Sequence, residues 1–477
     1  MLLNIITVSK ILKIIEYSIQ MDSHNTDENR VRSVIARMQR FEKWPLPPSF
    51  LAIIGVGYFF TFYDISDIGF AMPAIGPQFN LTGSESLFLA LSIGLIGYVF
   101  GSYIIGFFAD KYGRYPMLLI TMLLMAGGSF GDAASLNLYM LVIFRFITGL
   151  GLGADLNLMP AYIGEFSPAK RRGRMGEVTF LLGILGQAVT PFVALALVTP
   201  SDAAGWRWLF FIGGLIAVIA VILRSELPRS PRWLSTHGRI EKAERIVDDL
   251  EKSALAKGVI LKNVTEADVS NVEIASKRLP FSYLWKPPYR KRMLIFGLWW
   301  GLWYIGNYAF LGDATTLLSD TGITVGSSIL YIAIGAIGYP IGALLAYSIA
   351  DRFDRKYIIL LGSSIWFIGM ILFGTKYDSV VIATGSFLAS YALAFTLGIA
   401  YMYTSESYPT NGRTSGFAMG DGLGHIGGAI GALLLPILVV EWSFFNGFLF
   451  IGITTIIAGL ILFIWGDSAV NKQLENV

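Results

Sequence analysis

The chain has 477 residues, of which 54% are hydrophobic and only 14% charged, with a formal net charge of +3 and no cysteine. Soluble domains carry about a quarter charged residues, and a mean hydropathy of +0.61 excludes a water-soluble globule. The lack of cysteine excludes disulfides, thiolate metal sites and cysteine nucleophiles, and so small a net charge gives no argument for nucleic acid.

Residues 1–20 are apolar and Met21 opens a polar stretch. No small-residue cleavage site follows in the manner of a signal peptide. Two readings stand: an amphipathic helix lying in the membrane interface, or an upstream extension with the start at Met21. The segment 1–49 is taken as a cytoplasmic N-terminal region.

From residue 50 the apolar residues fall into runs of about 18 to 25, long enough to cross a ~30 Å hydrocarbon core. The spans are 50–75, 86–108, 116–133, 138–163, 176–199 and 206–224, then 293–318, 327–350, 357–374, 380–405, 414–440 and 444–465. A membrane barrel would show alternating segments of about ten residues, and none is seen. The class is all-α: a polytopic membrane protein with twelve transmembrane helices in two pseudo-symmetric six-helix bundles, 50–224 and 293–465. The polar segment 225–292 is a cytoplasmic linker whose GRIEKAERIVDDLEKSA stretch predicts a soluble amphipathic helix. Residues 466–477 form a cytoplasmic tail.

Orientation follows from the basic residues. With both termini on one side, that side collects 33 of the 36 Lys and Arg, leaving Arg145, Arg207 and Lys376. This skew places the termini and the linker in the cytoplasm, in a cell-membrane protein.

The chain repeats itself at an offset of 241 residues: GFFADKYGRYP, with Asp110 and Arg114, returns as YSIADRFDRKY, with Asp351 and Arg355. At the same offset GEFSPAKRRG, with Glu165 and Arg172, returns as SESYPTNGRT, with Glu406 and Arg413. Related six-span halves are a transporter architecture with the substrate site between them near the midplane.

These motifs, with RFITGLGLGADLNLMPAYIGEFSPAKRRG in span 4 and PRSPRWL after span 6, resemble the major facilitator superfamily, and within it the sugar porters and neighbouring metabolite:proton symporters. The resemblance covers all twelve spans. It implies that Asp110, Arg114, Glu165, Arg172, Asp351, Arg355, Glu406 and Arg413 form ion pairs that close the cytoplasmic side and break when the halves rock. Glu165 with Arg172, and Glu406 with Arg413, are expected partners. Gly106, one turn before Asp110, is expected to let helices approach closely. The second half departs from the family where Asp354 and Tyr347 replace glycines, and the expectation is either weaker close packing there or an Asp354 that competes for an arginine.

Span 1 carries FYDISDIG, with Asp64 and Asp67. Charged groups in a span are costly and mark functional sites. Arg145, in span 4, is read as the one basic residue deep in a span, Arg207 standing at a span end. It needs a counter-charge, and Asp64 is the natural candidate. In the family, an acid in this Phe-Tyr-Asp context pairs with the arginine of the span-4 motif. Proton coupling is therefore assigned to Asp64 and Arg145, with Asp67 as alternative carrier or cavity wall. Asp155 is read as part of the same network or as a group in a watery vestibule.

The candidate substrate-binding residues are Gln187, Asn307, Tyr308, Tyr401, Trp303 and His425. The resemblance places Gln187 on a sugar-binding glutamine, Asn307 on the asparagine ending the span-7 motif and Tyr401 on a stacking tryptophan. The family's span-7 glutamine pair falls on Gly301 and Leu302, and another glutamine on Phe180, which thins the set for a sugar. His425 stands one turn from Asp421, where it can titrate near neutrality or serve an organic anion.

The expected function is proton-coupled symport of a small polar solute by alternating access, with sugar first and an organic or aromatic acid second. A proton-independent facilitator and a non-transporting sensor rank below. No enzyme constellation and no nucleotide-binding GxxxxGK[ST] pattern is present. The proton is the coupling ion and no cofactor or metal is expected. The partners are solute, protons and bilayer, with the chain a monomer.

Overall fold

The computed structural model describes residues 27–81, 92–167, 172–198, 204–272, 281–287, 289–350, 352–408 and 413–467. Each apolar run is helical there. The first six spans are Pro48–Gln78, Ile93–Tyr112, Arg114–Ala133, Leu138–Phe166, Arg172–Leu197 and Gly205–Arg224. The second six begin with Tyr289–Asp320, then Val325–Ala336 continued as Gly338–Ile349, Arg355–Thr375 and Ser379–Glu406. Span 11 runs through Arg413–Phe417, a π turn at Ala418–Gly422 and Leu423–Glu441, and span 12 is Phe444–Trp465. Eleven of these helices are long and apolar enough to cross a membrane. Span 2 contributes a shorter apolar stretch, Ile93–Ala109, among the described residues. Among the described residues there is no strand, as expected where every backbone polar group must bond within its own segment.

Local chemistry sets the span boundaries. Thr324, Asp378 and Ser443 each cap a helix by accepting a backbone N–H three residues on. Gly113, at φ 99°, makes the one-residue turn between spans 2 and 3. Asp354 also caps: its carboxylate accepts from Lys356 N at 3.4 Å and starts span 9. The substitution of the family glycine therefore has a helix-starting role that the sequence expectation did not include.

The span-4 glycines close the bundle on two sides. A Cβ at Gly149 would lie 2.1 Å from the carbonyl oxygen of Gly94, and one at Gly153 2.0 Å from that of Tyr98, so span 2 packs on this face backbone to backbone. Gly151 faces span 3, where a Cβ would stand 2.6 Å from Thr121 O. Gly106 is different: a Cβ there meets no described atom within 4 Å. Among the described residues no helix makes the close approach expected at that glycine.

The chain forms two compact units. One comprises residues 1–47, 162–172 and 228–276, and the other holds the remainder of the spans. In the smaller unit the predicted amphipathic helix is Ile240–Ala256, and helix 27–39 packs on it. Val31, Ile35, Ala36, Ile240 and Val272 form the apolar seam. Arg30 forks onto Glu244 at 3.0 and 2.8 Å. Arg37 reaches Glu251 at 2.8 and 2.6 Å and Asp248 at 2.5 Å. In the larger unit, span 1 packs against span 7 and span 2 against span 11, joining the two halves.

Candidate functional site

Asp64 and Asp67 are one turn apart on span 1 and point to the same side. Both are fully buried, and so is Asp132 near the end of span 3. Arg145 of span 4 reaches all three. Its Nη2 stands 3.1 Å from Asp64 Oδ2, its Nη1 2.9 Å from Asp67 Oδ1, and Nη1 also 3.5 Å from Asp132 Oδ2. Ser129 donates to Asp64 Oδ1 at 3.1 Å, and the Phe210 ring lies 5.4 Å from the guanidinium carbon. The expected Asp64–Arg145 pairing is thus present in the geometry. Asp67, which had no partner in the sequence reading, shares the same guanidinium. Asp132 lies inside the apolar run 116–133, and the sequence reading gave it no role.

The census of buried cations needs correction. Arg224, counted with the cytoplasmic linker, is fully buried in the last turn of span 6. Its Nη2 donates to Asp155 Oδ2 at 3.0 Å, and its Nη1 to Asp155 Oδ1. Thr121 and Thr61 donate to the same carboxylate at 2.9 and 3.2 Å. Asp155 therefore belongs to Arg224 and not to the Arg145 network. A Cβ at Gly57 would meet Arg224 Nη2 at 2.1 Å, so span 1 leaves room for the guanidinium at that glycine. The two sets differ in charge: one acid per cation at Arg224, three per cation at Arg145.

One cavity is lined by Asp64 and Arg145 together with Ile65, Leu95 and Tyr308. A second shares Ile65 and Tyr308 with it and is lined by Gln187, Trp303, Asn307, Tyr308 and Tyr401, five of the six residues proposed for substrate, with Phe62, Tyr304 and leucines. Most polar groups of this wall are already engaged. Gln187 Nε2 donates to Tyr339 at 3.2 Å, Asn307 Nδ2 to Trp303 O at 2.9 Å, and Tyr304 to Asp421 at 2.6 Å. Asn307 Oδ1 has no hydrogen-bond partner. Tyr401 stacks on Trp300 at 5.3 Å and meets Phe180 edge-on at 6.3 Å. His425, the sixth residue, is absent from this wall. It sits behind Tyr308, whose hydroxyl is 2.9 Å from its Nε2.

Of the expected cytoplasmic charges, Arg355 Nη2 meets Glu406 Oε1 at 3.4 Å. Arg355 opens span 9, and the expected Glu406–Arg413 pairing falls on a side chain outside the described residues. Arg114 opens span 3 and Glu165 lies in the last turn of span 4. Asp351 and the side chains of Asp110, Arg172 and Arg413 lie outside the described residues.

Comparison with known proteins accords with this fold. The model of the family described as "Sugar (and other) transporter" matches residues 49–477. The niacin transporter of Acinetobacter baylyi is 27% identical over 92% of this chain and 99% of its own length. The arabinose-proton symporter of Bacillus subtilis is 27% identical over 89% and 92%. The xylose transporter of E. coli, in a partially occluded inward-open structure, superposes with a TM-score of 0.72 at 21% identity, covering 89% of this chain and 98% of that one. These are transporters and not enzymes. The chain is a twelve-helix membrane protein of the major facilitator superfamily and belongs to its sugar (and other) transporter family.

Proposed function

We propose that this protein is a proton-coupled symporter of a small aromatic acid, oriented with both termini in the cytoplasm of a cell membrane. The observation that carries the coupling is the three-to-one ratio of buried carboxylates to guanidinium around Arg145. One cation neutralises one carboxylate. Uncompensated charge in a low-dielectric interior is strongly disfavoured, so the cluster trades protons with water as the halves open and close. Asp64, held by Arg145 and Ser129 and lining the cavity, is the assigned carrier. Asp67 is the reserve carrier on the same cation.

The cavity wall supports the choice of solute. A sugar needs many free hydrogen-bonding groups, and here the amides and hydroxyls mostly bond one another. Trp303, Tyr401, Phe62 and the leucines offer flat apolar surface, and Asn307 Oδ1 offers one open acceptor. That chemistry suits an aromatic ring with few hydroxyls. The niacin and arabinose relatives stand at the same identity, so likeness alone does not choose between them. Sugar is the second reading, favoured by the two amides, Gln187 and Asn307, in the wall.

Proteoliposomes with an inward proton gradient test both parts. Labelled nicotinate or benzoate accumulates against its gradient, collapses on adding a protonophore, and outcompetes labelled arabinose and xylose. Uptake indifferent to the proton gradient removes the coupling. Preference for pentoses removes the aromatic assignment.

A further inference from the structure

A second group of buried titratable residues stands where the two halves meet, apart from the Arg145 cluster. Asp421 lies in the π turn Ala418–Gly422 of span 11, the kind of helix irregularity that recurs at functional sites. Its Oδ1 accepts from the Tyr304 hydroxyl of span 7 at 2.6 Å, and its Oδ2 from the Tyr98 hydroxyl of span 2 at 2.8 Å. The Tyr98 ring also stacks on the His425 imidazole, with centroids 3.5 Å apart and planes 14° from parallel. One side chain of the first half therefore holds two groups of the second.

The charge environment is unlike that of the other buried acids. The groups facing Asp421 are Tyr58 of span 1, Tyr98 and Tyr103 of span 2, Tyr304 and Tyr308 of span 7, Tyr401 of span 10 and His425 of its own helix. No lysine or arginine is among these groups. Two hydroxyl donors stand where a cation would. An ionised carboxylate is an acceptor at both oxygens and matches two donors, whereas the protonated acid must itself donate. When the halves part, Tyr98 leaves with span 2 and the carboxylate keeps Tyr304 alone.

We propose that Asp421 is a second proton-binding site, which takes a proton from water onto Oδ2 as Tyr98 departs and releases it as Tyr98 returns. This rests on the symport reading above and places a coupling group in the second half as well as the first. His425 supplies the competing explanation, because a protonated imidazole under the Tyr98 ring would hold the halves together more strongly. The two assignments have opposite signs: Asp421 opens the span 2–span 11 seam on acidification, and His425 closes it.

The absence of native cysteine makes a labelling test direct. Spin labels on Ile104→Cys in span 2 and Ile430→Cys in span 11, both exposed positions, report the seam distance in lipid nanodiscs by pulsed electron resonance. In the otherwise native protein the longer-distance population grows as pH falls from 8.5 to 5. Asp421→Asn raises that population at pH 8.5 and shrinks the pH response to the part that the Arg145 cluster supplies. Tyr98→Phe, which keeps the ring and removes one donor, shifts the midpoint upward by about one pH unit. A native protein without a pH response overturns the proposal, as does an Asp421→Asn response equal to the native one. Loss of the response in His425→Gln with retention in Asp421→Asn assigns the titration to His425 and also overturns it. No solute enters this measurement, so a failed uptake assay removes the symport reading separately.

Discussion

Arg224 grips Asp155 through both terminal nitrogens, and two threonines complete the same carboxylate. Pair and donors come from spans 1, 3, 4 and 6, so one ion pair ties four helices of the first half. Charge is balanced there, one cation to one acid, which fits a fixed support. Around Arg145 it is not, which fits a site that changes its proton content.

Removing one member of the balanced pair leaves a buried charge without its partner, at a cost of about 3–5 kcal/mol. Arg224→Gln and Asp155→Asn each lower the unfolding temperature in detergent by several degrees, and the double substitution recovers part of the loss. Equal melting curves for all four proteins would show that the pair supports nothing.

At the unbalanced site stability and coupling separate. Asp64→Asn keeps solute counterflow and loses gradient-driven accumulation by tenfold or more. Arg145→Gln loses both, because three acids remain without a cation. Normal accumulation by Asp64→Asn alongside its loss in Asp67→Asn moves the carrier to Asp67.

Asn307 Oδ1 is the open acceptor of the aromatic cavity. For a ring that carries one hydroxyl donor, such as a monohydroxylated benzoate, Asn307→Leu raises KM about tenfold, the worth of one hydrogen bond of ~1.4 kcal/mol, and leaves the maximal rate within a factor of about two. An unchanged KM places the solute elsewhere.

In the smaller unit Arg30 is hydrogen-bonded to Glu244 and attracts its charge, holding that carboxyl below its ordinary value of 4.5. A depressed acid stabilises the folded arrangement above the unfolded value and loses that contribution as pH falls through the folded one. Docking of helix 27–39 on Ile240–Ala256 is therefore pH-independent above about 4.5 and weakens below it, and high salt weakens it further. Amide exchange of residues 27–39, compared at pH 6 and 3.5, reads this directly. Equal protection at both pH values rules out an electrostatic contribution.

The spans were legible because hydrophobic length is a local property, set residue by residue against the thickness of a bilayer. Short polar caps such as Thr324 and Asp378 then fixed where several helices begin. The 241-residue repeat disclosed two related halves, and the cation at Arg145 predicted an acid beside it. What the sequence could not convey was how many acids, or which cations are buried. Arg224 sits at the end of an apolar run, where a charged residue reads as the start of a loop, and Asp132 lies one residue from the end of another. Whether an end residue faces water or turns inward depends on neighbouring helices far away in sequence. Asp155 lies 10 residues from Arg145 and 69 from Arg224, and it pairs with the distant one. The same holds for Tyr98 and Asp421, 323 residues apart. Sequence determined the helices and one obligatory charge pair; only tertiary packing decided how the remaining buried charges and hydroxyls were shared, because pairing in a low-dielectric interior is settled by which side chains the packed helices bring within hydrogen-bonding distance.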